Sequence, residues 1–322
     1  MTHPLWKDLS SKIQTPLRYG VLLRDLTYYR IGGPAEAVLE TGHSKDIQTA
    51  LHFCKQHEMP ITLLGAGSNV LAPDKGLSGL VVKIYQEDLD PVLEDQTLVV
   101  SAAVTDERFA EFAAQNGISG FEFACDIPGT IGGAVVQNAS TNDGDTRTHL
   151  IDVTYLNEAG QVVTSPVEKL GLGYRTSYFK EHFGVILQAR FAGNQREDVR
   201  AIQKKMEAIR ALRKSKFPME RANCGSVFKR PKNDYAGRLI QEAGLGGFRV
   251  GDAEVSGKHR NFIVNHDNAT AADVKAVVAH AIEEVYNQFG VMLERELIYL
   301  PENKGAVHRP FVEYCEKTKD KP

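Results

Sequence analysis

Two glycine-rich turns, Leu64-Gly65-Ala66-Gly67-Ser68-Asn69 and Ile127-Pro128-Gly129-Thr130-Ile131-Gly132-Gly133-Ala134, constrain this chain more than any other stretch. Each lies beside apolar sequence that reads as sheet. Glycine lets several backbone N–H groups converge with no side chain in the way, which makes a nest for an anion, typically a phosphate. Two nests in one domain fit a ligand with two phosphates, such as a dinucleotide. The first turn is no P-loop, because no Gly-Lys-Ser/Thr follows it. It is no Rossmann fingerprint either, since Val70 stands where the third glycine or alanine belongs. Val70-Leu71-Ala72-Pro73-Asp74 reads as extended chain and turn, so loop amides rather than a helix N-terminus would hold the phosphate. Taken singly, either motif is also compatible with an ordinary tight turn.

Composition narrows the class. With 322 residues, 42% hydrophobic and 25% charged, the chain is an ordinary globular protein of two domains, or one domain with a lobe. A net charge of −3 gives no global basic field for nucleic acid. Cys54, Cys125, Cys224 and Cys315 are dispersed, with no C-x-x-C, which argues against a zinc site or disulfide framework and for a reducing cytoplasm. The N-terminus lacks the pattern of a signal peptide, and no apolar stretch reaches membrane-spanning length.

Residues 1–25 read as a polar lead-in. Ala37–Leu39 reads as a strand. Ser44 can cap a helix that buries Ile47, Ala50, Leu51 and Cys54. Ile61–Leu64 is the strand feeding the first turn. Further strands are expected at 80–84 and 97–102, and a helix over 106–116 with Phe109, Phe112 and Ala113 inward, ended by Gly117. Val153–Leu156 and Gln161–Thr164 flank a Gly160 turn as a hairpin, and Val185–Phe191 closes the sheet. Ala192-Gly193-Asn194 is the expected linker.

Beyond it, Val199, Ile202, Met206 and Ile209 predict a helix from about Glu197 to Arg213, whose basic residues form a solvated face. Residues 221–267, dense in glycine and polar groups, read as a poor core but a good site wall. Thr270 and Asp273 predict a capping box opening a helix with Val274, Val277, Val278, Ala281, Ile282, Val285 and Phe289 on its apolar face, stopped by Gly290. Val291–Leu300 reads as a strand with Glu294 and Glu296 on one face. The remainder, 301–322, is a charged tail.

Seven stretches then become specific together: Thr27–Ala35, Leu64–Leu71, Gly120–Ala139, Tyr174–Lys180, Gly225–Pro231, Leu239–Asn265 and Leu293–Leu300. In order and spread over 27–300, they resemble the UDP-N-acetylenolpyruvoylglucosamine reductase family, flavoenzymes of cell-wall precursor synthesis. Ser226 follows Arg175 by 51 positions, which resembles the shorter (type II) branch without an extra substrate-covering loop. The resemblance implies an α+β protein: an FAD-binding domain of the vanillyl-alcohol-oxidase (PCMH) type over 26–194, built from two subdomains, and a substrate domain over 195–300. It matches Gly65, Ala66, Gly67, Ser68 and Asn69 to one pyrophosphate loop and Pro128, Gly129, Thr130, Gly132 and Gly133 to the other. Asn138 matches a nearby flavin contact. Two positions depart from the pattern: Ser140 stands where many members have glycine, and Arg230 replaces a frequent asparagine.

The family's reaction passes a hydride from NADPH to FAD and on to an enolpyruvyl ether of a UDP-sugar. Negative charge then develops on the enolpyruvyl carboxylate and must be met by a cationic or protonated group. Arg175 suits this, since a guanidinium grips a carboxylate with two parallel bonds. Glu296 matches the family's acid, useful if protonated or shared with Arg175. Ser226 matches its proton donor. Tyr174, Lys216 and Lys229 are sugar-nucleotide candidates. Without the resemblance, Glu294 and Glu296 would both read as exposed strand positions, and Glu294 remains the alternative acid. A flavin oxidase sharing the FAD domain, or a nucleotide-binding module without catalysis, are the competing readings. No metal ligand set is legible.

Overall fold

The computed structural model describes residues 4–193 and 195–300. Expectations that fall on Asn194, Cys315 and the 301–322 tail lie outside the described residues. Helices are α1 Pro4–Lys12, α2 Ser44–Gln56, α3 Asp106–Gln115, α4 Ile131–Gln137, α5 Val199–Lys216, α6 Ala236–Glu242 and α7 Ala271–Phe289.

The first sheet runs in the order Arg18–Leu22, Pro34–Thr41, Leu77–Ile84, Ile61–Leu64. Its first pair is antiparallel and the other two are parallel. Parallel neighbours need a crossover, and α2 supplies one, burying Ile47, Ala50, Leu51 and Cys54 as its spacing predicts. Ser44 does not cap it: the N-cap is His43, with no side-chain hydrogen bond. The polar lead-in is also corrected. Residues 4–22 form α1 and an edge strand. Trp6 and Leu9 are fully buried in the α2 cluster, and the Trp6 indole N–H donates to Glu36 at 3.0 Å. One aromatic residue and one leucine on a short helix suffice to anchor an otherwise polar segment.

The second sheet is antiparallel throughout, ordered Val162–Pro166, Leu150–Leu156, Val185–Ala192, Thr97–Ser101, Val92–Glu94. It packs on α3 and α4 through Phe109, Phe121, Ile131, Val135 and Phe191. Gly117 follows α3 with φ +65°, the left-handed conformation that ends a helix cheaply only for glycine.

The third unit overturns the expectation of a poor core in 221–267. Ala253–Val255 pairs with Arg249–Val250 and Ile263–Asn265. With α6 and α7 these strands bury one cluster containing Val227, Phe228, Leu239, Ile240, Val274, Val277, Val278 and Val285. Sparse apolar residues count here because nearly all of them point inward. The Thr270–Asp273 capping box forms in both directions, and Gly290 ends α7 at φ +66°. Phe289, expected on the apolar face, is exposed. The strand expected over 291–300 shrinks to Ile298–Tyr299, parallel to Val70–Leu71. That short ladder lays the end of the third unit beside the first glycine turn.

Candidate active site

The three units enclose a cavity of about 1010 Å³ lined by both glycine turns together with Tyr174, Arg175, Lys216, Ser226, Arg230 and Glu296. The first turn is built on a backbone that has no room for side chains. Gly67 takes φ +74°, and a Cβ there would meet the Leu26 carbonyl oxygen at 2.5 Å. A Cβ on Gly65 would lie 2.7 Å from Thr130 Oγ1, so this glycine lets the two turns touch. The carbonyls of Gly67 and Asn69 accept from Tyr28 and Ile298 at 3.0 and 3.1 Å. Among the described residues, no carbonyl or side chain accepts from the amides of Gly65 to Asn69. Unpaired amides on a cavity wall are the chemistry that a phosphate satisfies.

The second turn differs. Its amides at Gly129, Ile131, Gly132 and Ala134 donate to Ile127, Val104, Ala102 and Thr130 carbonyls at 2.8–3.0 Å. It runs directly into α4, a short helix that its glycines do not announce in the sequence. It offers the cavity the amides of Thr130 and Gly133, which have no acceptor among the described residues, and the hydroxyl of Thr130, which is buried and unpartnered.

Arg175 and Glu296 meet across the cavity. Arg175 Nε lies 2.5 Å from Glu296 Oε1, off the line of its N–H, so the contact is an ion pair rather than an aligned hydrogen bond. The guanidinium Nη1 donates to Ser140 Oγ at 2.9 Å, and its plane lies over the Tyr174 ring at 5.4 Å. Arg175 sits at φ +54°, uncommon outside glycine and frequent at functional sites. Burial pushes the Glu296 carboxyl above its ordinary range, against the pull of Arg175, Lys180 and Lys229. A raised carboxyl beside a guanidinium can hold or share a proton.

Backbone bonds bring Ser226 to the same place. The Val227 carbonyl accepts from the Glu296 amide at 2.8 Å, and the Val227 amide donates to the Asn261 carbonyl at 2.8 Å. Gly225, at φ +75°, turns the chain so that Ser226 lines the cavity. Asn69 of the first glycine turn donates its side-chain N–H to the Glu296 carbonyl at 3.2 Å. Two of these bonds, Glu296 to Val227 and Asn69 to Glu296, therefore link the nest, the acid and the chain beside the serine.

Other expected residues are placed differently. Asn138 is buried at φ +42° off the cavity wall; its amide donates to the Gly173 carbonyl at 3.0 Å and its oxygen accepts from the Arg147 amide at 3.1 Å. It holds the loop that carries Tyr174 and Arg175. Lys229 also lies off the wall and pairs with Glu294, which is 72% exposed. Glu294 and Glu296 therefore do not share a face, because the chain between them is not a strand. Lys216 and Tyr174 line the cavity, and the Tyr174 hydroxyl accepts from the Arg230 amide at 3.0 Å. Asp106, Ser140 and Gln137 also line it and were missed. Only Ser140 carried a signal, as a departure from the family pattern.

No group of three metal-ligating side chains occurs among the described residues, and none of their helices is long and apolar enough to cross a membrane. Residues 35–165 match the FAD binding domain family, and residues 217–300 match the C-terminal domain of UDP-N-acetylenolpyruvoylglucosamine reductase. A reductase of that name from Exiguobacterium sibiricum is 38% identical over 275 residues, 85% of this chain and 90% of the relative. One from Clostridium botulinum is 37% identical over 301 residues, 93% and 96% of the two chains. The crystal structure of the Thermus caldophilus enzyme superposes with a TM-score of 0.74 at 32% identity, over 89% of this chain and 99% of that one. Unpaired amides, glycines that admit no Cβ and a cavity of this size fit FAD. The chain is an α+β flavoprotein that belongs to the UDP-N-acetylenolpyruvoylglucosamine reductase family.

Proposed function

We propose that this chain reduces UDP-N-acetylglucosamine enolpyruvate to UDP-N-acetylmuramate, with NADPH as reductant, as a cytoplasmic step of peptidoglycan precursor synthesis. When bound, FAD supplies the hydride that adds to the enolpyruvyl methylene carbon. Arg175 binds the enolpyruvyl carboxylate and meets the charge that hydride addition places on it. Glu296 orients that guanidinium and, with its proton affinity raised by burial, can donate to the same carboxylate. Ser226 delivers a proton to the neighbouring carbon; a hydroxyl is a weak acid, but a carbanion-like partner held in line accepts from it. Tyr174, Lys216 and the Arg230 guanidinium, which line the cavity, would take the nucleotide end, and Arg230 is braced over the Tyr235 ring at 4.5 Å.

The observation that carries this reading is the Arg175–Glu296 ion pair sharing one cavity with Ser226 and both glycine turns. The test separates the half-reactions by stopped flow. Ser226→Ala should slow sugar reduction by about 10²–10⁴-fold while NADPH still bleaches the flavin at nearly the wild-type rate. Arg175→Ala should cost about 10²–10³-fold, also in sugar reduction. Equal loss of both half-reactions in Ser226→Ala would remove the proton-donor role.

A further inference from the structure

The cavity wall at the second glycine turn holds an acid that the chemistry above does not use. Asp106, the first residue of α3, is 3% exposed, and its Oδ2 has no hydrogen-bond partner. An acid at a helix start ordinarily accepts from the free amides of the first turn. Here Thr105 takes that role, accepting from the Arg108 amide at 3.1 Å. The Asp106 carboxyl turns instead onto the second glycine turn: a Cβ on Gly129 would lie 2.1 Å from Oδ2. Beside it, the unpartnered Thr130 hydroxyl sits between Gly65 and Gly133. Two buried polar groups without partners thus converge where the anion nest and the second turn touch.

Their surroundings fix which form the acid takes. Glu107 pairs with Arg210, and Asp126, before the turn, pairs with Arg213 at 3.0 Å. Tyr28 also faces it. The turn itself, residues 127–134, presents no titratable side chain. Burial alone raises the Asp106 carboxyl to about 8, with no cation offsetting it. A carboxylate here would repel a diphosphate held by the neighbouring amides, whereas a carboxylic acid can donate to it.

We propose that Asp106 binds FAD as a neutral carboxylic acid, donating its O–H to the cofactor's diphosphate beside the Thr130 hydroxyl, so that the grip on FAD loosens as the acid ionises. Side-chain donors at the second turn then supplement its few free amides, since four of them are already taken.

The test is FAD release from diluted holoprotein, followed by recovery of flavin fluorescence between about pH 6 and about pH 9.5. Wild-type release should quicken by about tenfold or more across that range. Asp106→Asn keeps a donor of the same shape and cannot ionise, so its release should be flat with pH and within about threefold of wild type at neutral pH. Asp106→Leu should release FAD about tenfold faster at neutral pH, with circular dichroism unchanged. An Asp106→Asn holoprotein that follows the wild-type pH curve overturns the proposal, as does one that loses FAD tenfold faster at neutral pH. Should the variants fail to fold, the wild-type series decides alone: release that does not vary with pH overturns it.

Discussion

In the Gly65–Asn69 turn the backbone amides have no protein acceptor, whereas in the Gly129–Ala134 turn four amides already donate to carbonyls, leaving the Thr130 and Gly133 amides together with the Thr130 hydroxyl and the neighbouring Asp106 carboxyl. Both stretches are rich in glycine, but for different reasons. Gly65 and Gly67 keep a nest open and let two loops touch. Gly129 makes room for a carboxyl, and a Cβ on Gly132 would lie 3.1 Å from that of Ala102. A glycine code therefore marks close approach of backbone, and what approaches has to be read from the amide accounting.

Four experiments can break or sharpen that contrast. The largest effect is expected at Gly67. Gly67→Ala must hold a side chain at a positive φ, costing about 1–2 kcal/mol, and must push the Leu26 carbonyl away. The purified protein should come off gel filtration nearly colourless; a yellow one would mean that the first turn does not hold the cofactor. Next is Asp106. Its raised folded value means that the native state binds a proton which the unfolded chain has released, so stability falls as pH rises from about 4 to about 8. The slope has an upper bound of about 1.4 kcal/mol per pH unit. Asp106→Asn should remove that slope, raising the apoprotein melting temperature more at pH 8 than at pH 5. Third, Thr130→Val should weaken FAD binding by about tenfold, the worth of one buried hydrogen bond to a charged group. Last, Ser68→Ala at the first turn should change it by less than about threefold, because backbone amides rather than the side chain do the binding there. Equal effects from the last two would erase the distinction between the turns.

The α2, α3 and α7 stripes, the 150–166 hairpin and the stop at Gly290 were legible because each depends on neighbours within a few residues. Misreadings arose where distant partners decide. Trp6 and Leu9 read as part of a polar segment until α2 covers them. Glu294 and Glu296 read as one face of a strand, but the Val227 carbonyl and the Val70–Leu71 pairing bend that chain, sending one carboxyl to Lys229 and the other to Arg175. Asp106 drew no reading beyond opening the 106–116 helix.

The sequence by itself determined the family, the α+β class and the two glycine turns, since spacing, periodicity and motif order are properties of the chain alone. Tertiary structure alone decided which amides remain free, which carboxyl is desolvated, and that Arg175, Ser226 and Glu296 line one cavity. Those outcomes depend on burial and on hydrogen bonds between residues as far apart as Asn69 and Glu296, and no local pattern encodes the solvent or partner a group will meet.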